Sequence, residues 1–329
     1  MPTGSTWSPS PNTRRQVFGG PDSVRDMRIG TMSEKVNDST IEAVLGEATE
    51  AHERGLDTLW VPQIFGHDSL TVLAIVGREV PDIELGTAVV PTYPRHPMML
   101  AQQALTVQAA IGGRLALGIG LSHKVVVESM WGLSYERAAR HMREYLSVLM
   151  PLLESSAVQF EGEEFRVQGQ ITVAGSSRPS VVVAALGKEM LRIAGRLADG
   201  TSTWCVGAKT LEDHIIPTIR QAAADAGRPE PRIVCSLPVL VTDDIDAARA
   251  KARKVFAVYT HLPSYRAMMD VEGVADASAL AVLGTEAEVA EQIEEYRRLG
   301  VTDFNAGIFS GDREERARTF AVLSSISDS

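Results

Sequence analysis

The sequence predicts an α/β fold, a (β/α)8 TIM barrel with a hairpin insertion and a helical excursion before strand eight. From residue 27 onward, short runs of β-branched and other apolar residues alternate with amphipathic stretches. The runs are apolar along most of their length, as is typical of parallel strands buried on both faces. Their number, eight, favours a closed barrel over an open doubly wound sheet, which uses the same kinds of strand and helix.

The first half of the chain contains four predicted strand and helix pairs. Asp38, Ser39 and Thr40 are N-cap candidates for the first helix, which ends before Gly55. A Pro-rich turn separates the third strand from its helix. The predicted strands are residues 28–33, 58–62, 83–90 and 114–120, and the helices that follow them are 38–54, 68–78, 97–111 and 135–154.

The second half contains two additions to the alternating pattern. Residues 157–173 alternate with a period of two around Glu-Gly, which predicts a small hairpin rather than a new domain. Residues 243–300 are mostly helical and form the excursion before the last strand. The remaining predicted strands are 181–185, 201–206, 233–241 and 303–308, with helices at 188–198, 211–226 and 312–325.

We therefore expect residues 27–329 to form a single barrel domain. Residues 1–26 are rich in Ser, Pro and Gly without periodicity, which predicts a flexible N-terminal extension. The formal net charge is −10, which argues against nucleic acid and anionic membrane surfaces as partners. Cys205 and Cys235 lie in apolar runs and are expected to be buried reduced thiols. With no membrane span or signal-peptide pattern, the expected location is cytoplasmic.

The chain lacks the common motifs of metal and nucleophilic catalysis. Its seven histidines do not show metal-ligand spacing, so no metal is expected. No nucleophile elbow or phosphate-binding Walker loop is present. An enzyme of this kind depends on an organic cofactor for its chemistry.

Because ligands of (β/α)8 barrels bind at the carboxyl ends of the strands, candidate site residues are sought there. After strand four, LGIGLSHK begins as a GxGxxG motif but has His123 at the third glycine, and no helix is expected to start immediately after it. Ser122, His123 and Lys124 instead form a polar cluster that would face a ligand. After strand two, Gln63 and His67 follow, and His67 is either an acid/base candidate or a capping residue.

A second candidate is the turn after strand five. There the amides of Leu186, Gly187, Lys188 and Glu189 would be free first-turn donors able to hold a phosphate. The alternative is that Gly187 only permits a tight turn, and Glu189 in the first turn slightly favours that alternative. The residues alone leave both interpretations open.

Taken together and in order, these segments resemble the luciferase-like (LLM class) family of flavin and deazaflavin oxidoreductases, especially its branch that uses coenzyme F420. The resemblance covers nearly all of residues 27–326. It is carried by LDTLWVPQIF, IELGTAVVPTYPRHP, GRLALGIGLSHK, HMREYLSVLMPLLESSAVQFEGEEFRV, VVVAALGKEMLRIAGRLADG and LGTEAEVAEQIEEYRRLGVTDF.

The resemblance implies F420 as cofactor, with FMN as the alternative, and places the ring across the barrel mouth. It implies a strand-three bulge with a non-proline cis peptide at Ala88–Val89 that supports one ring face, and a cofactor phosphate on the loop after strand five. It also implies a homodimer and a possible separate cofactor reductase. The implied cofactor-binding residues are Thr87, Ala88, Val89, Val90, Gly120, Ser122, His123, Lys124, Ala185, Leu186, Gly187, Lys188 and Glu189.

Two departures from the family pattern shape the predicted chemistry. Gln63-Ile64 stands where related alcohol and sugar-phosphate dehydrogenases have Asp-His, and His123 stands at a glutamate position. We expect His123 or water to supply a proton and Gln63 to donate a hydrogen bond. The predicted function is hydride transfer between deazaflavin C5 and a small substrate with a C=C or C=N bond. The alternatives are an FMN monooxygenase and a cofactor-binding protein without turnover.

The same resemblance implies a deazaflavin whose tail has several carboxylates. An acidic protein needs a local basic patch to hold such a tail. Lys124, Arg137 and Arg140, which follow strand four, are the expected patch, with a solvated helix face as the alternative for the two arginines.

Overall fold

The structure, a computed structural model, describes residues 27–327, so the predicted extension 1–26 lies outside the described residues. Eight parallel strands pair in chain order, and the eighth pairs with the first to close a barrel. The predicted (β/α)8 fold is confirmed. The barrel strands are β1 (Arg28–Met32), β2 (Thr58–Val61), β3 (Glu84–Thr87), β4 (Leu115–Gly120), β5 (Ser180–Ala184), β6 (Gly200–Trp204), β7 (Arg232–Val241) and β8 (Asp303–Ile308).

Helices surround the barrel, and most of them begin at a side-chain cap that the sequence supplies. Thr40 and Asp68 accept from first-turn amides of the first two helices, and Thr285 forms a capping box with Glu288. The main helices are α1 (Ile41–Glu53), α2 (Ser69–Glu79), α3 (Pro97–Ala110), α4 (Ala138–Ser155), α5 (Lys188–Leu197), α6 (Ile216–Asp225), α7 (Ile245–Val255), α8 (Pro263–Glu272), α9 (Glu286–Leu299) and α10 (Arg313–Ser327).

Several smaller elements complete the fold. The predicted hairpin is present as an antiparallel pair, Ala157–Glu161 with Arg166–Gln170. The excursion contains α7, α8 and α9, together with a short strand that the sequence did not reveal, Val282–Gly284, which pairs with the end of β7. The predicted start of the fourth helix at residue 135 is wrong, because Arg137 adopts a left-handed conformation (φ 59°) and α4 begins after it.

The amino ends of the strands are closed by a buried ion network. Arg232 donates to both carboxylate oxygens of Asp303, at 2.9 and 2.7 Å, and also pairs with Glu84. Burial works to raise the pKa of Asp303, but Arg232 and Arg28 outweigh it and leave that pKa lowered. The guanidinium of Arg232 lies 5.3 Å from the ring of Trp60 inside the barrel. The carboxyl ends of the strands form the opposite end of the barrel, where ligands bind in this fold.

The excursion is anchored on the carboxyl side of β6. The carboxylate of Glu272, at the end of α8, accepts from the amide of Thr210 (2.8 Å) and from its hydroxyl (2.6 Å). Gly207 leaves room for this carboxylate, since a Cβ there would lie 2.3 Å from it.

Both cysteines are buried and free, as predicted. Within residues 27–327, no helix is both long and apolar enough to span a bilayer.

Candidate functional site

Strand β3 leaves the barrel sheet early and forms a bulge at its mouth. The peptide Ala88–Val89 is cis, as the resemblance implied, and the chain then pairs with β4 again through Val90–Pro91. The predicted continuous strand 83–90 is therefore broken after Thr87. The hydroxyl of Thr87 bridges the break, since it donates to the carbonyl of Gly118 (2.7 Å) and accepts from its amide (2.9 Å).

The exposure of the bulge residues divides them into two groups. Thr87 and Val90 are fully buried, so they shape the bulge from beneath and do not face the barrel mouth. Ala88 and Val89 are only half-buried and remain for contact with a ring. Gly120 is required by this arrangement, because a Cβ there would lie 2.6 Å from a methyl group of Val89.

A buried histidine supports the segment that follows the bulge. Nε2 of His141 lies 3.0 Å from the hydroxyl of Thr92, and its ring stacks on Tyr93 at 4.0 Å between centroids. Burial lowers the pKa of His141 to about 4, with Glu144 opposing that shift, so the ring is neutral at pH 7. Sequence reasoning did not select His141. Its signal was its place beside Met142 on the apolar face of α4.

The loop after β5 leads into a helix without a side-chain cap. Gly187 is the N-cap of α5, and the first intrahelical bond runs from Leu191 to its carbonyl (3.0 Å). The four amides without an intrahelical partner are therefore those of residues 187–190, one residue later than predicted. Gly187 has φ −80°, which residues other than glycine also adopt, so its conformation does not favour the alternative in which glycine only permits a tight turn. A Cβ at this position would meet nothing within 4 Å, which leaves open space above the helix end.

Two side chains that sequence reasoning missed hold this loop. Nε2 of His214 lies 2.7 Å from the carbonyl of Leu186. Arg143 of α4 forms an ion pair with Glu189 at 2.9 Å. Ala185 is buried, and its carbonyl accepts from Thr201 at 3.4 Å. Neither His214 nor Arg143 is near the loop in the sequence, so only the fold brings them to it.

His123 lies at the mouth just beyond β4. The π-helical turn Val126–Met130 follows it closely, and the carbonyl of His123 accepts from the amides of Val126 and Val127. The expectation that no helix starts here is wrong. Ser122 before it adopts a left-handed conformation (φ 61°). The His123 ring lies 6.1 Å from that of Tyr265 on α8, so the excursion folds back over the strand-four end.

Burial lowers the pKa of His123. The neighbouring Lys124 is an exposed side chain 3.9 Å from Glu128 and is not the cause. The other two members of the expected basic patch are also paired. Arg137 lies 3.6 Å from Glu163, and Arg140 pairs with the same carboxylate. Glu163 of the hairpin therefore offsets part of the positive charge of the expected patch, and the role of the patch in holding a cofactor tail stays a prediction.

The candidates after β2 are held in structural contacts. Oε1 of Gln63 accepts from the amide of Ser69 (2.7 Å) and from its hydroxyl (2.9 Å), at the start of α2. Nε2 of His67 lies 2.8 Å from the carbonyl of Ser39, and Asp68 caps α2. These contacts favour the capping alternative for His67 and Asp68. They also give Gln63 a role in fixing the loop.

On the opposite half of the mouth lies a pocket of about 440 Å³ that the sequence did not reveal. It is formed by the carboxyl ends of β1, β6 and β8 together with α7. Burial raises the pKa of Glu34 in this pocket, with its Arg316 partner (3.0 Å) opposing that shift. The lining residues are Met32, Ser33, Glu34, Lys35, Trp204, Lys251, Val255, Phe256, Gly307, Ile308, Phe309, Ser310 and Gly311.

Comparison with known proteins identifies the family. The profile of the luciferase-like monooxygenase family matches residues 27–303. The chain is 28% identical over 302 residues to F420-dependent glucose-6-phosphate dehydrogenase of Nakamurella multipartita, covering 84% of this chain and 88% of the relative. It is 27% identical over 291 residues to 5,10-methylenetetrahydromethanopterin reductase of Archaeoglobus fulgidus, covering 78% and 86%.

Among solved structures, the coenzyme F420 dependent tetrahydromethanopterin reductase from Methanopyrus kandleri superimposes with a TM-score of 0.74. It is 20% identical, and the match covers 91% of this chain and 97% of that one. At this identity the structural match shows the fold alone. The family profile covers most of the chain, so the protein belongs to the luciferase-like family.

Proposed function

We propose that this member of the luciferase-like family is an F420-dependent oxidoreductase that acts on a small organic substrate with a C=C or C=N bond. The observation that carries the proposal is a pair of features at the barrel mouth, one after β3 and one after β5, the two strands that flank β4. These are the half-buried cis bulge at Ala88–Val89 after β3 and the open, uncapped start of α5 at Gly187 after β5. Relatives named as F420-dependent support the choice of cofactor.

The residues present fit such a cofactor. The bulge presents small apolar side chains, Ala88 and Val89, against which a planar ring can lie. Two strands away, the first-turn amides of α5 and the helix dipole suit a phosphate, and no side chain at Gly187 fills the space above them. The ion pair of Arg143 with Glu189 would shift toward an incoming phosphate. When bound, F420 would supply or accept the hydride at C5 of its ring.

The protein would then have to place and protonate the substrate. His123 is neutral at pH 7 because burial lowers its pKa, so it is ready to accept a proton but is rarely able to donate one as imidazolium. It therefore suits the oxidising direction, and that activity should fall as the pH drops through its lowered pKa. In the reducing direction the same step runs in reverse, so His123 would return the proton. The alternative group is Glu34, which lines the pocket and whose pKa is raised by burial.

A binding experiment tests the cofactor first. The fluorescence of F420 should be quenched when the protein is titrated into it and binds it. FMN should bind more weakly in the same titration. Reduced F420 should then be reoxidised only when an enone or imine acceptor is added. Preferential FMN binding with a long-lived oxygen adduct would establish the monooxygenase alternative. Bound F420 without turnover across the panel would establish a cofactor-binding protein.

Two variants then test the proton assignment. His123→Asn should lower the rate by ~10²-fold or more in both directions with little change in F420 affinity, because one group serves both directions of a reversible step. Glu34→Gln should do so only if the pocket carboxyl group carries the proton instead. Equal rates for both variants and the wild-type protein would leave water as the proton donor. A loss of F420 affinity in His123→Asn would make this residue a binding residue instead.

Other features are proposed on the resemblance alone. We propose a cytoplasmic homodimer that receives reduced F420 from a separate reductase. Residues 27–329 would form one domain, as the closed barrel of the described part supports. Light scattering on the purified chain tests the dimer, and a mass equal to 35.5 kDa would refute it.

A further inference from the structure

We infer that the pocket formed by β1, β6, β8 and α7 binds the substrate, and that this substrate is a small organic anion with a flat apolar body. The inference rests on the proposed function, because it assigns the β3 to β5 half of the mouth to the cofactor. A hydride acceptor must lie against the cofactor ring, so it has to occupy the remaining half. The pocket volume of about 440 Å³ is typical of small-molecule sites.

The shape of the ligand is indicated by an aromatic wall of the pocket, which Trp204, Phe256 and Phe309 form. Trp204 at the end of β6 packs edge-to-face with Phe256 at 5.7 Å, and Phe256 packs in the same way with Phe309 at 5.5 Å. Gly307 makes this possible, since a Cβ there would lie 2.9 Å from the Trp204 ring. Met32 lies on the β1 side of the pocket. A flat apolar group is the ligand that such a wall buries best.

The charge of the ligand is indicated by two lysines. Lys35 follows β1 and Lys251 lies on α7, and both line the pocket. Among residues 27–327, neither lysine has a carboxylate within ion-pair distance, whereas the one carboxylate of the lining, Glu34, is paired with Arg316. The pocket therefore keeps a positive charge in a protein whose formal net charge is −10. An anionic group on the ligand would satisfy it.

The lysine on the β1 side is held in a fixed loop. The buried carboxylate of Glu47 accepts from the hydroxyl of Ser33 (2.5 Å), the amide of Glu34 (3.0 Å) and the amide of Lys35 (3.4 Å). Three hydrogen bonds to one side chain set the direction in which this loop enters the pocket. The backbone from which Lys35 extends is therefore fixed beside the pocket, although the side chain itself is exposed.

The test uses 2-naphthoate and its neutral analogue 2-naphthamide, measured by calorimetric titration of the full chain. The wild-type protein should bind the carboxylate at least about fivefold more tightly than the amide. In the double variant Lys35→Gln with Lys251→Gln, this preference should vanish while amide binding stays. The control Lys254→Gln changes an exposed lysine of the same helix outside the lining, and should keep the preference. Val255→Trp should fill the pocket and weaken both probes.

The outcomes separate this inference from the proposed cofactor. Equal binding of the two probes, or a carboxylate preference that survives the double lysine change, would overturn the inference even if F420 binds. Competition between bound F420 and 2-naphthoate would overturn it too, because the pocket would then hold the cofactor tail. Lysine-dependent binding of 2-naphthoate without any F420 binding would sustain the pocket assignment and refute the proposed cofactor.

Discussion

Replacing His141 with phenylalanine should reduce by about 2 kcal/mol the loss of stability that the protein suffers between pH 7 and pH 5. The histidine is 7% exposed and stacks on Tyr93, and its pKa falls to about 4 because of burial. In the unfolded chain the same group has a pKa near ~6.5. Between these two values the unfolded state binds the proton and the folded state does not. The free energy of unfolding therefore falls as the pH falls through this window.

The size of the effect follows from the two pKa values. At pH 7 both states are largely deprotonated, and the histidine contributes only a few tenths of a kcal/mol. At pH 5 the unfolded state is almost fully protonated, which favours it by about 2 kcal/mol for a shift of this size. His141→Phe keeps the aromatic stack but loses the bond to Thr92, which costs about 1 kcal/mol at either pH. The variant is thus less stable at pH 7, but loses less stability on acidification.

Urea denaturation at the two pH values measures the effect. The wild-type loss between pH 7 and pH 5 should exceed the variant's loss by about 2 kcal/mol. Phe165→Leu is the matched control, because it alters packing against the same ring (5.4 Å between centroids) without removing a titrating group. Phe165→Leu should lower the free energy of unfolding by the same amount at both pH values. Equal pH dependence in wild type and His141→Phe would refute the reasoning.

The remaining predictions concern the bulge after β3, the start of α5, and the ion network at the amino ends of the strands. Gly118→Ala should lower the free energy of unfolding by about 3 kcal/mol or prevent folding, because a Cβ there lies 1.9 Å from a backbone oxygen of the neighbouring strand. Urea denaturation measures this loss. Gly187→Val should weaken F420 binding at least about tenfold without loss of stability. The control is Gly46→Ala, which also adds a side chain in open space and should leave the F420 fluorescence titration unchanged. Asp303→Asn should cost about 3 to 5 kcal/mol, because it leaves the buried Arg232 without its anionic partner; a smaller loss in thermal unfolding would contradict this.

The sequence was sufficient for the barrel because the barrel depends on local patterns. Each strand is a short apolar run, and helices such as α1 and α2 begin at polar caps that can be read one residue at a time. The short strand Val282–Gly284 was missed because its three residues form no pattern of their own and depend on pairing with β7. The cis bond at Ala88–Val89 was expected only through the resemblance, since no local rule distinguishes those two residues.

The site was less predictable because its electrostatics depend on residues far apart in the chain. Arg137 and Arg140 were expected to form a basic patch with Lys124, but the fold places Glu163 of the hairpin beside both arginines. The pKa of His123 is lowered by burial, which the residues next to it in the sequence do not reveal. Charge and burial are properties of the assembled surface, and a linear sequence shows only the residues that contribute to it.

The same reason explains why the sequence pointed to one proton donor where the structure offers two. His123 stood out because it replaces a family carboxylate after β4, but burial makes it a neutral ring that accepts a proton more readily than it gives one. Glu34 did not stand out, since a glutamate after the first strand is unremarkable until the excursion closes over it and Arg316 reaches it from α10. Burial moves the pKa values of these two groups in opposite directions. The same group must act in both directions of a reversible step, so the variants His123→Asn and Glu34→Gln decide which of the two carries the proton.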